Sequence, residues 1–201
     1  MFVDASGIER LKYPESADLV ISKWDWSQTP QFTEAMAHKI YLGPVHLRGL
    51  LPYMTISRAS ARRESGVSVA EVSLKLVWDL IQQLKVGEHG VAYVLDSQGR
   101  VIAHSAMFTP PVDGEHASYQ GDPSLFQRDL SGLPQIQAVR AAASGPAEVR
   151  AGRDLDGRNI LSASAGVAGP DERSSGVRLS DWLGWRVFVE LPLSEADTAV
   201  P

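Results

Sequence analysis

The sequence predicts an α+β protein made of two small antiparallel sheets, each flanked by helices. Three observations favour this class. A strand–turn–strand pattern occurs near residue 2 and again near residue 93, an alternating strand after a glycine closes each half, and an amphipathic helix lies between the halves. A length of 201 residues suits one large domain or two small ones.

Composition excludes several classes of protein. Hydrophobic residues make up 44% of the chain and charged residues 21%, which is enough for a folded core. The net charge is −5 and no basic cluster is present, so we expect no nucleic-acid partner. The chain has no cysteine, which excludes disulfides and thiol nucleophiles. It also has no apolar stretch of about 18 residues and no signal peptide at its start, so it is either cytosolic or a piece of a larger protein.

The first element in each half is a hairpin. Phe2–Gly7 and Tyr93–Gly99 both read as an apolar strand followed by Asp-x-x-Gly. The Asp carboxylate can accept hydrogen bonds from the amides ahead of it, and Gly tolerates a positive φ. The second copy continues into a returning strand, Arg100–His104.

The last element in each half is an alternating strand that follows a glycine, Gly66–Val72 and Gly184–Glu190. The residues expected on the buried faces are Val67, Val69 and Glu71 in the first strand and Trp185, Val187 and Val189 in the second. These markers divide the chain into units 1–73 and 74–201. The alternative is that two Asp-x-x-Gly hairpins occur by chance.

Helices are predicted between the strands. The clearest spans about 74–86, with Ser73 as N-cap and Gly87 as its stop. Its apolar stripe is Leu74, Val77, Trp78, Ile81 and Leu84.

Two further helices are predicted. One runs from Pro30 to Lys39, with Phe32, Ala35 and Met36 facing inward, and the other covers about 134–143, before Gly145. Segments 109–123 and 166–180 are rich in Gly, Pro and Ser and are predicted to be long loops.

Five stretches of this sequence resemble the double Cache sensor domain. They are Gly43–Arg48, Leu51–Ser57, Gly66–Asp79, Lys85–Asp96 and Trp185–Ala196, and they occur in the family's order over nearly the whole chain. The resemblance implies two tandem PAS-like modules. It assigns 1–73 to a membrane-distal module that lacks its N-terminal helix, and 74–201 to a helix followed by a membrane-proximal module.

The resemblance also implies a function. Such domains are extracytoplasmic (periplasmic) sensors of inner-membrane receptors, here of the histidine kinase or nucleotide or diguanylate cyclase type, and they pass a ligand signal across the membrane. It implies a small-molecule ligand, membrane tethering in the full-length protein, and a homodimer formed through N-terminal helices. Without those helices we expect a monomer or a weak dimer. The amino-acid-binding motif of some relatives is not clearly present, so the ligand stays open.

Catalysis is not expected. The sequence has no nucleophile elbow, zinc-protease motif, P-loop or dinucleotide-binding motif, and its five histidines lack metal-ligand spacing. We therefore predict no catalytic residue, no metal and no cofactor. His104 ends a predicted strand, where it would line a pocket in the second unit or lie on a polar rim.

A ligand pocket is predicted in the first unit. Its candidate ligand-binding residues are Trp24, Asp25 and Trp26 in a closing loop, Tyr41, His46 and Arg48 on one strand, and Tyr53, Thr55 and Ser57 on the polar face of the next. Arg48 offers a fork suited to a carboxylate, and Tyr and Trp give apolar contact with a polar group. The alternatives are a solvent-facing strand, a Trp-x-Trp core plug, and a protein-binding module with no small-molecule ligand.

Overall fold

The computed structural model describes residues 1–13, 20–61, 66–107, 122–141, 149–167 and 183–196. The chain divides into two compact units, Met1–Lys75 and Leu76–Pro201. The division lies two residues after the predicted boundary at 73. The assignment of the units as membrane-distal and membrane-proximal modules stays a prediction. Each unit is built on an antiparallel sheet with helices, which confirms the α+β class.

In its described residues, unit 1 contains a six-stranded sheet and one α-helix. The elements are β1 (Phe2–Val3), β2 (Glu9–Leu11), α1 (Pro30–His38), β3 (Ile40–Leu42), β4 (His46–Arg48), β5 (Leu51–Ala59) and β6 (Val67–Ser73). The strand order is β2-β1-β6-β5-β3, and β4 also pairs with β5. The last strand of the unit therefore pairs with the first.

The core of unit 1 lies between this sheet and α1. Ala35 of α1 is fully buried and belongs to one cluster with Val3 and Val67 of the sheet. Phe32 and Met36 pack against the same cluster, which confirms the predicted inward face of the helix. Proline suits the first helical turn, because an amide there has no partner within the helix.

Gly66 allows β6 to run beside β1. Its φ is +82°, and a Cβ at this position would lie 2.1 Å from the carbonyl oxygen of Val3. Only glycine gives both the left-handed backbone and the space for this approach.

Unit 2 contains a five-stranded sheet in the same order, β8-β7-β11-β10-β9. Its elements are α2 (Lys75–Gln83, starting at the division), β7 (Val91–Leu95), β8 (Val101–His104), α3 (Pro134–Ala141), β9 (Val149–Arg153), β10 (Asn159–Gly166), β11 (Arg186–Pro192) and the single turn α4 (Leu193–Ala196). The opening hairpin and the closing strand thus hold equivalent positions in the two sheets.

Helix α2 is anchored to unit 2 by Trp78. The Trp78 side chain is 3% exposed, and its Nε1 donates a 2.8 Å hydrogen bond to the carbonyl oxygen of Ile102. The Ser73 hydroxyl accepts from the amide of Lys75, in keeping with the predicted cap. The helix ends at Gln83 rather than at Gly87, and Leu84 is 47% exposed, so the predicted C-terminal end is wrong.

The predicted inner face of β11 is confirmed at Trp185, which is buried, and is wrong for the two valines that follow it. Phe188 and Glu190 are buried, whereas Val187 and Val189 are only half-buried. β11 lies between β7 and β10, so both of its faces are at least partly covered, and hydrophobic alternation does not identify the inner face.

The Asp-x-x-Gly turns form as predicted, and a third copy occurs. Asp4, Asp96 and Asp154 each accept two backbone amide hydrogen bonds and bind a downstream arginine through Oδ2. The third copy joins β9 to β10 inside unit 2. The motif therefore marks a hairpin turn and not the beginning of a unit.

Helix α3 covers Pro134–Ala141, close to its prediction. Gly145 and most of the two predicted long loops fall outside the described residues. Among the described helices, none combines the length and the hydrophobicity that crossing a membrane requires.

Candidate functional site

A cavity of about 550 Å³ opens on the face of the unit 1 sheet that α1 covers. It is lined by Met1, Lys12, Tyr13, Trp26, Gln31, Arg48, Tyr53, Thr55, Val69, Ala70, Glu71 and Ser73. Tyr53 and Thr55 share this face of β5 with Ala59, which packs in the core beside α1. Helix α1 therefore lies on the same side of the sheet as the polar residues of β5. The volume suits a small organic molecule.

Strand pairing positions the polar groups of this cavity. β3 and β4 both pair antiparallel with β5, and His46 lies opposite Tyr53 in that register. The single strand predicted to carry Tyr41, His46 and Arg48 is thus two short strands, β3 and β4, which both pair with β5. Arg48 lies near the Tyr53 ring, with its guanidinium carbon 5.7 Å from the ring centroid. This contact orients a cation at the cavity wall.

Glu71 is the acidic group of the cavity. The Thr55 hydroxyl donates to its Oε1, and His46 Nε2 lies 3.2 Å from its Oε2. Lys12 and Arg48 supply two positive charges to the same lining. The cavity therefore offers cations for an anionic group and a carboxylate for an amine or hydroxyl.

The predicted ligand-binding residues divide into two groups. Trp26, Arg48, Tyr53 and Thr55 line the cavity, and His46 reaches it through Glu71. The others, Trp24, Asp25, Tyr41 and Ser57, do not line it.

The residues outside the cavity have other surroundings. Tyr41 packs against the core of unit 1, so its strand position alone does not bring it to the site. Ser57 is fully buried. The Ser27 hydroxyl and amide hold the pKa of Asp25 below its usual range. Trp24 is 74% exposed and lines a second cavity.

Sequence reasoning did not assign Lys12, Tyr13, Gln31, Glu71 and Ser73 to the site. The position of Glu71 could have been found from the sequence, because Glu71 was predicted to share a face with Val67 and Val69. No sequence pattern indicated Lys12, since its place in the lining depends on where β2 and the following segment fold.

His104 of unit 2 is buried and does not lie on an exposed polar rim. It is 6% exposed and stacks on Tyr93 with ring centroids 5.3 Å apart, and Phe188 stacks on the other side at 5.2 Å. Burial lowers the pKa of His104 to about 4, so the ring is neutral at pH 7. The interpretation of His104 as a polar rim residue is therefore wrong, because the strand end that carries it is covered, and a pocket at His104 stays a prediction.

A buried polar network lies beside this stack. The Tyr93 hydroxyl donates to Glu190 Oε1 at 2.5 Å, and Gln135 Nε2 donates to the same oxygen at 2.9 Å. Burial raises the pKa of Glu190 above its ordinary value. Two donors on one carboxylate oxygen are a structural arrangement that joins α3, β7 and β11.

Among the residues that the structure describes, no group of three or more His, Cys, Asp or Glu side chains is placed to hold a metal ion.

No sequence profile of a known protein family matches the chain, and no curated protein is similar to it. Solved structures do share its fold. The extracellular domain of mmHK1S-Z3, a proposed histidine kinase, superposes with a TM-score of 0.62 at 12% identity over 92% of this chain and 60% of that one. The related domain mmHK1S-Z2 gives 0.60 at 10% identity, over 90% of this chain and 61% of that one.

Chemoreceptor ligand-binding domains match as well. The domain of Campylobacter jejuni Tlp3, solved with L-valine, gives a TM-score of 0.60 at 13% identity, over 98% of this chain and 66% of that one. The domain of Pseudomonas aeruginosa PctB, solved with L-Arg, gives 0.52 at 16% identity, over 97% of this chain and 73% of that one.

These likenesses show that the chain shares its fold with extracellular sensor domains and chemoreceptor ligand-binding domains, as the sequence resemblance predicts. The matched structures are sensor and ligand-binding domains, not catalytic ones. This chain spans about 60% of the length of the two mmHK1S domains.

Proposed function

We propose that this chain is the extracytoplasmic ligand-sensing part of a transmembrane receptor and that its ligand binds in the 550 Å³ cavity of unit 1. The observation that carries the proposal is the convergence of Arg48, Tyr53, Thr55 and Glu71 on one face of the sheet, around one cavity. The shared fold with extracellular sensor domains supports the same role.

The ligand we propose is a small molecule with a carboxylate group, and amino acids are the first class to test. Lys12 and Arg48 provide cations for the carboxylate, while Glu71 accepts from an amine or hydroxyl. Three matched domains carry L-valine, L-Arg and asparagine in their solved structures, which supports this choice of class.

The test is a thermal-shift screen of amino acids and small carboxylates, followed by calorimetric titration of the hits. A binder at 100 times its dissociation constant stabilises by about 2.7 kcal/mol. Arg48→Gln should weaken binding about tenfold or more, because it removes a charge-assisted hydrogen bond. Arg58→Gln is the matched control, since Arg58 is exposed on the opposite face of β5. Hits whose affinity survives Arg48→Gln and Tyr53→Ala would contradict the assignment.

We propose that the receptor is an inner-membrane protein of the histidine kinase or cyclase type that acts as a homodimer. The mmHK1S domains support the kinase choice by their fold. No catalytic role is proposed for the chain itself. The complete coding sequence tests the proposal: it should place a membrane helix on each side of this chain and a kinase or cyclase domain downstream. An uninterrupted soluble reading frame would overturn it.

A protein-binding module is the second candidate function. Leu76 and Leu80 of α2 are 70% and 55% exposed, and they stand one helical turn apart. An apolar pair on a helix surface suits a partner protein. Sedimentation with and without Leu76→Gln and Leu80→Gln tests this candidate, and a monomer unchanged by both substitutions would argue against self-association through α2.

A further inference from the structure

Unit 1 contains a second cavity, of about 340 Å³, between β2 and the segment that follows it. Its lining is Glu9, Lys12, Val20, Ser22, Trp24 and Trp26. Backbone hydrogen bonds fix its walls: the Glu9 amide donates to the Trp24 carbonyl at 2.8 Å, and Lys12 and Val20 exchange two bonds of 2.8 Å. The cavity is therefore built by the fold and is large enough for a small molecule.

Glu9 is an unusual residue to find in this wall. Glu9 is buried, with only 2% of its surface exposed. Trp26 Nε1 donates a 2.8 Å hydrogen bond to its Oε2, and this is the one side-chain hydrogen bond of Glu9 within the described residues. In the same part of the chain it forms no ion pair. Buried carboxylates are normally paired with a cation or bound by several donors.

Two indole rings accompany this carboxylate. Trp24 and Trp26 both line the cavity, and Trp24 is 74% exposed although the backbone holds it in place. The face of an indole attracts a cation, and tryptophan gives the strongest such attraction among the aromatic residues. A positive ligand would thus meet two indole side chains and the Glu9 carboxylate, and Lys12 is the one cation among the lining residues.

We propose that this cavity binds a small organic ammonium ion, with its positive nitrogen toward Glu9 and its alkyl groups against the two indoles. Methylated ammonium groups suit the site because they are cationic, weakly hydrated and apolar at their surface. This inference goes beyond the proposed carboxylate site in the larger cavity. The two cavities share Lys12 and Trp26, so the test uses Glu9 and Trp24, which line the second cavity alone.

The experiment compares choline with 3,3-dimethyl-1-butanol, which has the same shape but no charge. Both are titrated into the whole chain by calorimetry and by tryptophan fluorescence at constant ionic strength. We expect saturable binding of choline and at least about tenfold weaker binding of the neutral compound, because the charge provides the attraction. Equal affinity for the two compounds, or no choline binding up to about 100 mM, would overturn the proposal.

Two variants locate the site. Glu9→Gln keeps an acceptor for Trp26 and removes the charge, so choline affinity should fall about tenfold. Trp24→Leu should lower it about three- to fivefold. Because Trp24 is 74% exposed, this substitution should leave the fold intact. Glu34→Gln, which removes a carboxylate that is 52% exposed on α1, is the matched control and should leave affinity unchanged. Choline affinity that survives both Glu9→Gln and Trp24→Leu places the ligand elsewhere and refutes the assignment.

Discussion

Trp78 joins α2 to the edge strand β8, and shortening its side chain removes packing and a hydrogen bond together. The indole is 3% exposed and meets the Phe126 ring edge-on at 6.1 Å. Trp78→Ala leaves a large cavity, and we expect it to cost about 3–5 kcal/mol. Trp78→Phe keeps most of the ring but leaves the Ile102 carbonyl oxygen without its donor, at a cost of about 1–3 kcal/mol.

Urea unfolding followed by circular dichroism and tryptophan fluorescence measures both costs. Leu80→Ala is the control on the same helix, because Leu80 is 55% exposed and its truncation should change stability by no more than about 0.5 kcal/mol. The expected order of destabilisation is Trp78→Ala, then Trp78→Phe, then Leu80→Ala. If Trp78→Phe were as stable as wild type, the hydrogen bond to Ile102 would have no energetic role.

Three further substitutions test other features. Gly66→Ala should destabilise unit 1 in thermal unfolding. The left-handed backbone accounts for about 1–2 kcal/mol of this cost, and the clash with the Val3 oxygen 2.1 Å away adds more. Burial raises the pKa of Glu190 above its ordinary value, so the folded state holds an extra proton. Wild-type stability should therefore fall relative to Glu190→Gln as pH rises from about 4 to 7. Gly87→Ala should speed amide exchange at residues 88 and 89, because a Cβ would lie 2.1 Å from the Glu195 oxygen that binds residue 88.

Each of these has an internal comparison. Gly157 also has a positive φ but open space around its Cβ position, so Gly157→Ala should lose only the stability that the left-handed backbone costs. Equal losses of stability at Gly66 and Gly157 would show that the clash at Gly66 has no effect. A stability profile of Glu190→Gln that runs parallel to that of the wild type would contradict the burial of that carboxylate. Exchange at Gln98, in the Asp96 turn, should not respond to Gly87→Ala.

Local features of the fold were predictable from the sequence. The inward face of α1 follows from the spacing of Phe32, Ala35 and Met36 on a helix that begins with proline. The turns at Asp4 and Asp96 depend on a few neighbouring residues, so the residue types of these short segments were sufficient to predict them. Both are decided within a few residues along the chain.

Features that depend on distant neighbours were not predictable. The inner face of β11 includes Glu190, because Tyr93 and Gln135 from other elements make a buried carboxylate acceptable there. Glu9 lies in a strand of three residues with charged neighbours, and it is buried because the segment with Trp24 and Trp26 folds over it. No hydrophobic period marks such positions.

The site shows the same division. Arg48, Tyr53 and Thr55 were identifiable because paired strands and side-chain alternation place them on one face. Tyr41 satisfies the same pattern but packs in the core, since α1 covers its end of the sheet. The alternation indicates which side a residue faces, and only the tertiary structure shows what covers it.

The shared strand order has a consequence for synthesis of the protein. In each unit the strand made last pairs with the strand made first, and it fills an interior position of the sheet. The backbone nitrogen of Met1 donates to the carbonyl oxygen of Val69, 68 residues away, and the Tyr93–Glu190 bond spans 97 residues. Neither sheet can form completely until its final strand leaves the ribosome. Unit 1 can therefore fold while the sheet of unit 2 still lacks its central strand, β11. A nascent chain stopped before β11 would expose two unpaired strand edges, at β7 and β10.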